Sequence, residues 1–261
     1  MKTKIMGILN ITEDSFFEGS RTDIFGAKNR IEKMIGDGAD MIDIGALSSR
    51  PGSKMISDEE ELRRIRSVLN IVKKNRFYEK VQFSLDSYSP LTIDYALNCG
   101  FKIINDITGL SNDNVCMVAK KHKATVCIMH MKGTPKDMQA DPFYEDVIKE
   151  VDEFFTQRVE KAKSFGIEDI ILDVGIGFGK NLKHNIALIK NHSYFSHFGY
   201  PLLIGASRKS MIDSISPSAI KDRLSGTLAI HIEAVRNKAS IVRCHDVKEH
   251  VQAIRVFEAL Q

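Results

Sequence analysis

Residues able to do chemistry recur directly behind short apolar runs in this chain. Asn10, Thr12, Asp14, Ser15 and Phe16 follow the first run, and Asp43, Gly45 and Ser48-Ser49-Arg50-Pro51-Gly52 the second. Asp86-Ser87, Asn105-Asp106 and His130-Met131-Lys132-Gly133 come next. Asp173 with the loop Gly175–Lys180, then Ser207-Arg208-Lys209-Ser210 and Arg243-Cys244-His245-Asp246, complete the set. Behind any one strand, an Asp or Asn is ordinarily a helix cap or turn residue. Recurrence at the same end of every run, with Gly38, Gly100, Lys123 and Gly166 at the opposite ends, points to one functional face.

These residues divide by chemistry. Asp86, Asn105 and Asp173, with Lys209 nearby, can donate and accept in one plane, which suits a flat heterocycle rich in ring N–H and amino groups, guanine-like or pterin-like. Ser49, Arg50, Arg243 and His245 suit an anion, because the guanidinium fork matches phosphate oxygens. The loop Gly175-Ile176-Gly177-Phe178-Gly179-Lys180 lacks the first glycine and the hydroxyl residue of a phosphate-binding Walker loop, and its glycines do not have dinucleotide-binding spacing. It reads either as a loop that brings backbone and Phe178 against a ligand or as plain turn chemistry. No nucleophile elbow and no His-Glu-x-x-His motif is present, so displacement assisted by electrostatics is favoured over covalent or metallohydrolase chemistry.

Positioning such a set requires an ordered frame. The apolar runs are Lys4–Leu9, Met41–Ile44, Val81–Leu85, Lys102–Ile104, Thr125–Met129, Asp169–Leu172, Pro201–Ile204 and Ser240–Val242. They are nearly continuous in apolar character, as parallel strands buried on both faces should be. Between them lie amphipathic stretches: Phe25–Asp37, Ser57–Asn75, Asp141–Phe165, Leu182–Asn191, Ala219–Asn237 and Lys248–Leu260. Ser57 and Glu60 predict a capping box at the start of the second. Eight strand–helix units in 261 residues predict one domain, a closed (β/α)8 TIM barrel, with chemistry at the C-terminal ends of the strands. An open doubly wound sheet would need fewer strands.

Composition narrows the class. The net charge of +3 gives no nucleic-acid stripe or membrane-binding tail, and no apolar run approaches the roughly 20 residues that span a bilayer. Cys99, Cys116, Cys127 and Cys244 are scattered, which favours reduced buried thiols over a disulfide framework. With no signal-peptide pattern at Met1–Asn10, a cytoplasmic protein is expected.

Several segments then resemble one family in order and spacing. They are Gly7–Phe16, Asp43-Ile44-Gly45 with Ser49–Gly52, Ser84–Ser87, Ile104–Asp106, Met129–Pro135, Leu172–Lys180, Ser207–Ser210 and Arg243–Asp246. Together they span essentially the whole chain and resemble the dihydropteroate synthases. The resemblance implies an enzyme that joins a dihydropterin pyrophosphate to p-aminobenzoate and releases pyrophosphate. It implies that Asp86, Asn105, Asp173 and Lys209 hold the pterin, with Met129 and Phe178 lining its slot and Arg243 stacking near the ring. Arg243 and His245 would bind pyrophosphate, and Asn10 would share a Mg2+ ion with it. Asp86, Asp173, Lys209 and Arg243 are the catalytic candidates. Phe16, Ser49, Arg50, Pro51, Lys209 and Ser210 would form the p-aminobenzoate site. A homodimer and inhibition by sulfonamides are implied as well. Glu13 and Val174 stand where the family usually has proline, and Ser49 where threonine is common. The competing readings are a methyltetrahydrofolate-type pterin-dependent methyltransferase, which has no use for Arg243 and His245 as an anion pair, and a silent pterin-binding paralogue.

Overall fold

The computed structural model describes residues 2–11, 21–46 and 56–261. Eight parallel strands pair in sequence order: β1 (Lys4–Asn10), β2 (Met41–Gly45), β3 (Gln82–Asp86), β4 (Ile103–Asp106), β5 (Thr125–Met129), β6 (Ile170–Asp173), β7 (Leu202–Ile204) and β8 (Ile241–Cys244). The sheet closes where β8 pairs with β1, Met6 opposite Arg243. The expected barrel is present.

Most strands end one or two residues beyond the apolar runs. Asp86, Asn105, Asp106, Asp173 and Arg243 belong to the strands and do not merely follow them. The functional polar residues are thereby held by ladder hydrogen bonds, which fixes them more rigidly than a loop would.

Around the barrel run α1 (Arg21–Gly36), α2 (Asp58–Lys74), α3 (Pro90–Leu97), α4 (Asp113–His122), α5 (Val147–Ser164), α6 (Leu182–Lys190), α7 (Ser210–Ile215), α8 (Leu224–Arg236) and α9 (Val247–Ala259). Ser57 Oγ caps α2 by accepting from Glu60 N–H at 3.2 Å. The reciprocal half of the expected box does not form, because the Glu60 carboxylate is taken by Arg63 and Arg64 at 2.7 Å each. Helix α5 starts later than its polar–apolar pattern suggested. Pro142 restricts the backbone before it, and Asp146 supplies the cap, its Oδ1 accepting from Ile148 and Lys149 N–H. A short 3-10 turn at Ile220–Asp222 likewise delays α8.

Alternation along each strand separates two interiors. Outward residues such as Ile42, Phe83, Ile104, Val126, Leu172 and Val242 join Ile31, Ile65, Leu69, Val115, Val151, Phe155 and Leu188 of the helices in one continuous cluster. Inward, Met6, Met41, Ile103, Cys127, Ile171, Leu203 and Ile241 fill the lower barrel as a separate apolar plug. Among the described residues no helix is long and apolar enough to cross a membrane.

Candidate active site

Above the apolar plug the barrel interior turns polar. Arg243 is its hub: Nε donates to Asp43 Oδ2 at 2.6 Å and Nη2 to Asp86 Oδ2 at 2.7 Å. Asn105 Nδ2 donates to the same Asp43 oxygen at 3.0 Å. Asp43 is fully buried, so the guanidinium is what makes its charge tolerable. Asp43 Oδ1, Asn105 Oδ1 and Ser84 Oγ are buried without a hydrogen-bond partner among the described residues. Buried acceptors left so cost about 1–3 kcal/mol each. A layer this rich in acceptors is suited to a ligand that brings N–H donors.

Burial sets the proton affinities. It pushes the Asp86 carboxyl up to about 7, against the pull of Arg243. Asp173 is also raised by burial, opposed by the Gly175 N–H, which donates to Oδ1 at 2.8 Å, and by Lys209. Burial lowers Lys209 to about 8, with the Asp173 charge resisting. Burial works against the Arg243 charge too, but Asp43 and Asp86 more than offset it and hold its pKa above the ordinary range. Lys209 lies 4.4 Å from the centre of the Phe178 ring, and its ammonium donates to the Ile176 carbonyl.

The glycine loop after β6 is shaped mainly by its neighbours. Gly175 and Gly179 have φ of 65° and 62°, and a Cβ on them would meet the carbonyls of His130 and Lys132 at 2.0 and 2.1 Å. These glycines let the loop lie against the backbone that follows β5. Lys180 secures it. The residue is 2% exposed, and its Nζ donates to the carbonyls of His130, Gly175 and Phe178 at 3.2, 3.0 and 2.9 Å. The turn reading thus accounts for Gly175, Gly179 and Lys180, while Phe178 meets Lys209 at the mouth. His130 packs edge-on against Phe154 at 4.9 Å and is held neutral, with burial and then Lys180 driving its pKa to about 2.

The loops after β7 and β8 are tied together. Ser207 Oγ accepts from the His245 backbone N–H at 3.3 Å and stands 2.9 Å from His245 Nδ1. Ser207 thereby holds both the backbone and the ring of His245 at the barrel mouth. Arg208 forks onto Asp246 with Nε–Oδ2 and Nη2–Oδ1 distances of 3.1 and 2.5 Å.

Of the residues singled out from sequence, Asp86, Asn105, Met129, Asp173, Phe178, Lys209, Arg243 and His245 all lie at or near the C-terminal end of the barrel. Asn10 ends β1 beside Gly45, half-buried, and Ser210 is exposed at the first turn of α7. Val174, the departure in the glycine loop, is buried between Asp173 and Gly175. Phe16, Ser49, Arg50 and Pro51, and the Glu13 departure, lie outside the described residues. Among the described residues no group of three or more His, Cys, Asp or Glu side chains is gathered to hold a metal. Sequence reasoning missed three positioning groups: Asp43 beneath Arg243, Ser207 beside His245, and Lys180 under the glycine loop. All three stood in the motifs, but only the fold shows what their side chains meet.

A closed parallel barrel whose mouth is lined by acids, an amide and two cations defines a class of enzyme that holds a flat, donor-rich ring. The chain belongs to the pterin binding enzyme family, whose model matches residues 6–245. Within that family it stands with the dihydropteroate synthases. It is 43% identical to the dihydropteroate synthase of Escherichia coli over 98% of this chain and 90% of that protein. It is also 43% identical to the bifunctional dihydropteroate synthase/dihydropteroate reductase of Helicobacter pylori, over 99% of this chain and 68% of that protein. Among solved structures, the Yersinia pestis dihydropteroate synthase in complex with a sulfonamide drug superposes with a TM-score of 0.93 at 38% identity, covering 99% of this chain and 94% of that one. The Thermus thermophilus enzyme in complex with 4-aminobenzoate gives 0.86 at 33% identity, covering all of this chain and 95% of that one.

Proposed function

We propose that this chain condenses 6-hydroxymethyl-7,8-dihydropterin pyrophosphate with p-aminobenzoate, giving 7,8-dihydropteroate and pyrophosphate, a step of folate biosynthesis. The observation that carries the reading is the polar layer of Asp86, Asn105, Asp173, Lys209 and Arg243 closing the top of the barrel. In this reading the pterin ring donates to Asp86, Asn105 Oδ1 and Asp173, and lies against Met129 and Phe178. Arg243 and His245 face the pyrophosphate and stabilise the charge that builds as the C–O bond to the methylene breaks. Asp86 and Asp173 stabilise the positive charge left on the dihydropterin. The amine of p-aminobenzoate forms the new C–N bond and loses a proton. Phe16, Ser49, Arg50, Pro51, Lys209 and Ser210 hold p-aminobenzoate, and sulfonamides compete for that place.

The donor set around Asn10 fits a Mg2+ ion borne largely by substrate. Asn10 offers one carboxamide oxygen, and among the described residues no carboxylate cluster is gathered for a metal, which suits an ion whose other ligands are phosphate and water. When bound, it neutralises charge on the pyrophosphate. The reading also takes the protein to be a cytoplasmic homodimer. Ile215 and Ile220, exposed at the end of α7 and between α7 and α8, offer apolar surface for pairing.

Pyrophosphate release by the purified protein, with dihydropterin pyrophosphate and Mg2+, tests the function. Release that requires p-aminobenzoate and yields dihydropteroate supports it. Pterin binding without release favours a silent paralogue or a methyltransferase.

A further inference from the structure

Two buried histidines outside the substrate site join the same pair of loops from behind. His231 on α8 and His250 on α9 are both fully buried. The Ala206 backbone N–H, just past β7, lies 3.0 Å from His231 Nε2. His231 Nδ1 lies 2.8 Å from His250 Nε2, and His250 Nδ1 lies 2.6 Å from the Asp246 carbonyl. The proton positions follow by elimination. An amide N–H can only donate, so His231 Nε2 accepts. A neutral His231 then carries its proton on Nδ1 and donates to His250 Nε2. His250 in turn carries its proton on Nδ1 and donates to a carbonyl that can only accept. One arrangement satisfies every contact, and a second proton on either ring would set two donors face to face. The chain starts one residue before Ser207, which holds His245, and ends on Asp246, which holds Arg208.

We infer that His231 and His250 are positioning residues for the pyrophosphate end of the site, a neutral two-histidine relay that sets the Ala206–Lys209 loop against the His245–Asp246 loop. Burial holds both rings below the ordinary histidine pKa, with the neighbouring imidazole next for His231. Lys209 and His245 face the pair from the barrel loops, and Asp246 and Glu249 from the start of α9. Lys209 and His245 oppose protonation of His231, and Asp246 and Glu249 favour protonation of His250. The inference rests on the reading of Arg243 and His245 as anion ligands, but the relay itself is testable without it.

Nitrogen-15 NMR of the intact protein reads the tautomers directly. Both rings are expected neutral with the proton on Nδ1, and a charged or Nε2-protonated ring at pH 7.5 overturns the relay. Titration with inorganic pyrophosphate and Mg2+ then tests its role. His250→Gln keeps an acceptor for His231 and loses the donor to Asp246, whereas His250→Asn keeps that donor and loses the acceptor. Each is expected to weaken pyrophosphate binding about fivefold, the scale of one hydrogen bond. Ile254→Ala, which loosens α9 elsewhere, should leave it within about twofold. Equal weakening by all three variants, or by none, would mean that the pair only stabilises the fold. If the variants do not fold, the wild-type Nδ1–H resonances decide: they shift on saturation with pyrophosphate if the relay is coupled to the site and stay fixed if it is not. Failure of the wild-type protein to bind pyrophosphate overturns the anion-site reading, whatever the tautomers prove to be.

Discussion

The two halves of the barrel interior differ by a single step along the same strands. Met41 and Asp43, Ile103 and Asn105, Ile171 and Asp173, and Ile241 and Arg243 are each two residues apart and point the same way. The lower member of each pair belongs to the apolar plug, and the upper member to the polar layer. One turn of the pleat therefore divides residues that hold the barrel shut from residues that hold the ligand. Stability is concentrated below, and above it is given up to buried charges and orphaned acceptors.

The largest effect that breaks this contrast is expected at Arg243. Arg243→Ala leaves Asp43 and Asp86 buried without their counter-ion. It should abolish turnover and cost about 3–5 kcal/mol of stability, read by urea unfolding and by pyrophosphate release. Arg243→Lys keeps a charge but cannot fork onto both acids, so it should recover part of the stability and little of the activity. In the lower layer the signs separate. Ile103→Ala should cost about 2–5 kcal/mol through the cavity it opens, while the pterin Kd of the folded protein stays within about twofold. A large change in Kd there would deny that the layers are distinct.

Glu61 sharpens the comparison from just outside the barrel. Glu61, at the start of α2, is 2% exposed, its Oε1 has no hydrogen-bond partner among the described residues, and burial raises its pKa to about 7. The folded state holds this proton more tightly than the unfolded state, whose Glu titrates near the ordinary value of 4.5. Stability is therefore lost as pH rises from about 4.5 to about 7, by up to about 3 kcal/mol. Glu61→Gln should remove that decline, matching wild type near pH 4.5 and exceeding it at pH 8 in thermal unfolding. Equal wild-type and variant stability at both pH values would mean that the acid is not strained.

A smaller effect is expected in the pH profile of kcat/KM. Activity should fall below about pH 7, as Asp86 gains a proton and stops accepting from the ring, and above about pH 8, as Lys209 loses its charge. Asp86→Asn should remove the acid limb from whatever activity remains.

Much of this was legible in the sequence, for reasons that also explain the omissions. All eight strands were found because residues buried on both faces leave continuous apolar runs. Their ends were set short because Asp86, Asn105, Asp173 and Arg243 look like loop residues until the barrel gives them partners. Helices α3, α4 and α7 were counted among the eight strand–helix units but given no bounds, since two or three turns carry little periodicity and α3 is nearly apolar throughout. The polar cradle was named almost in full. Asp43 was passed over as an anchor because its partner Arg243 lies 200 residues away. His231 and His250 went unremarked for the same reason: helix spacing says which face is buried, not that two rings on different helices will touch.

In the proposed function the upper layer of the barrel holds the pterin. The most direct test is the Kd of a pterin for Asp173→Asn, measured by fluorescence titration beside wild type. Loss of a charged acceptor predicts binding weaker by roughly a hundredfold, with the variant still folded. An unchanged Kd in a folded Asp173→Asn protein would contradict the account and place the pterin elsewhere.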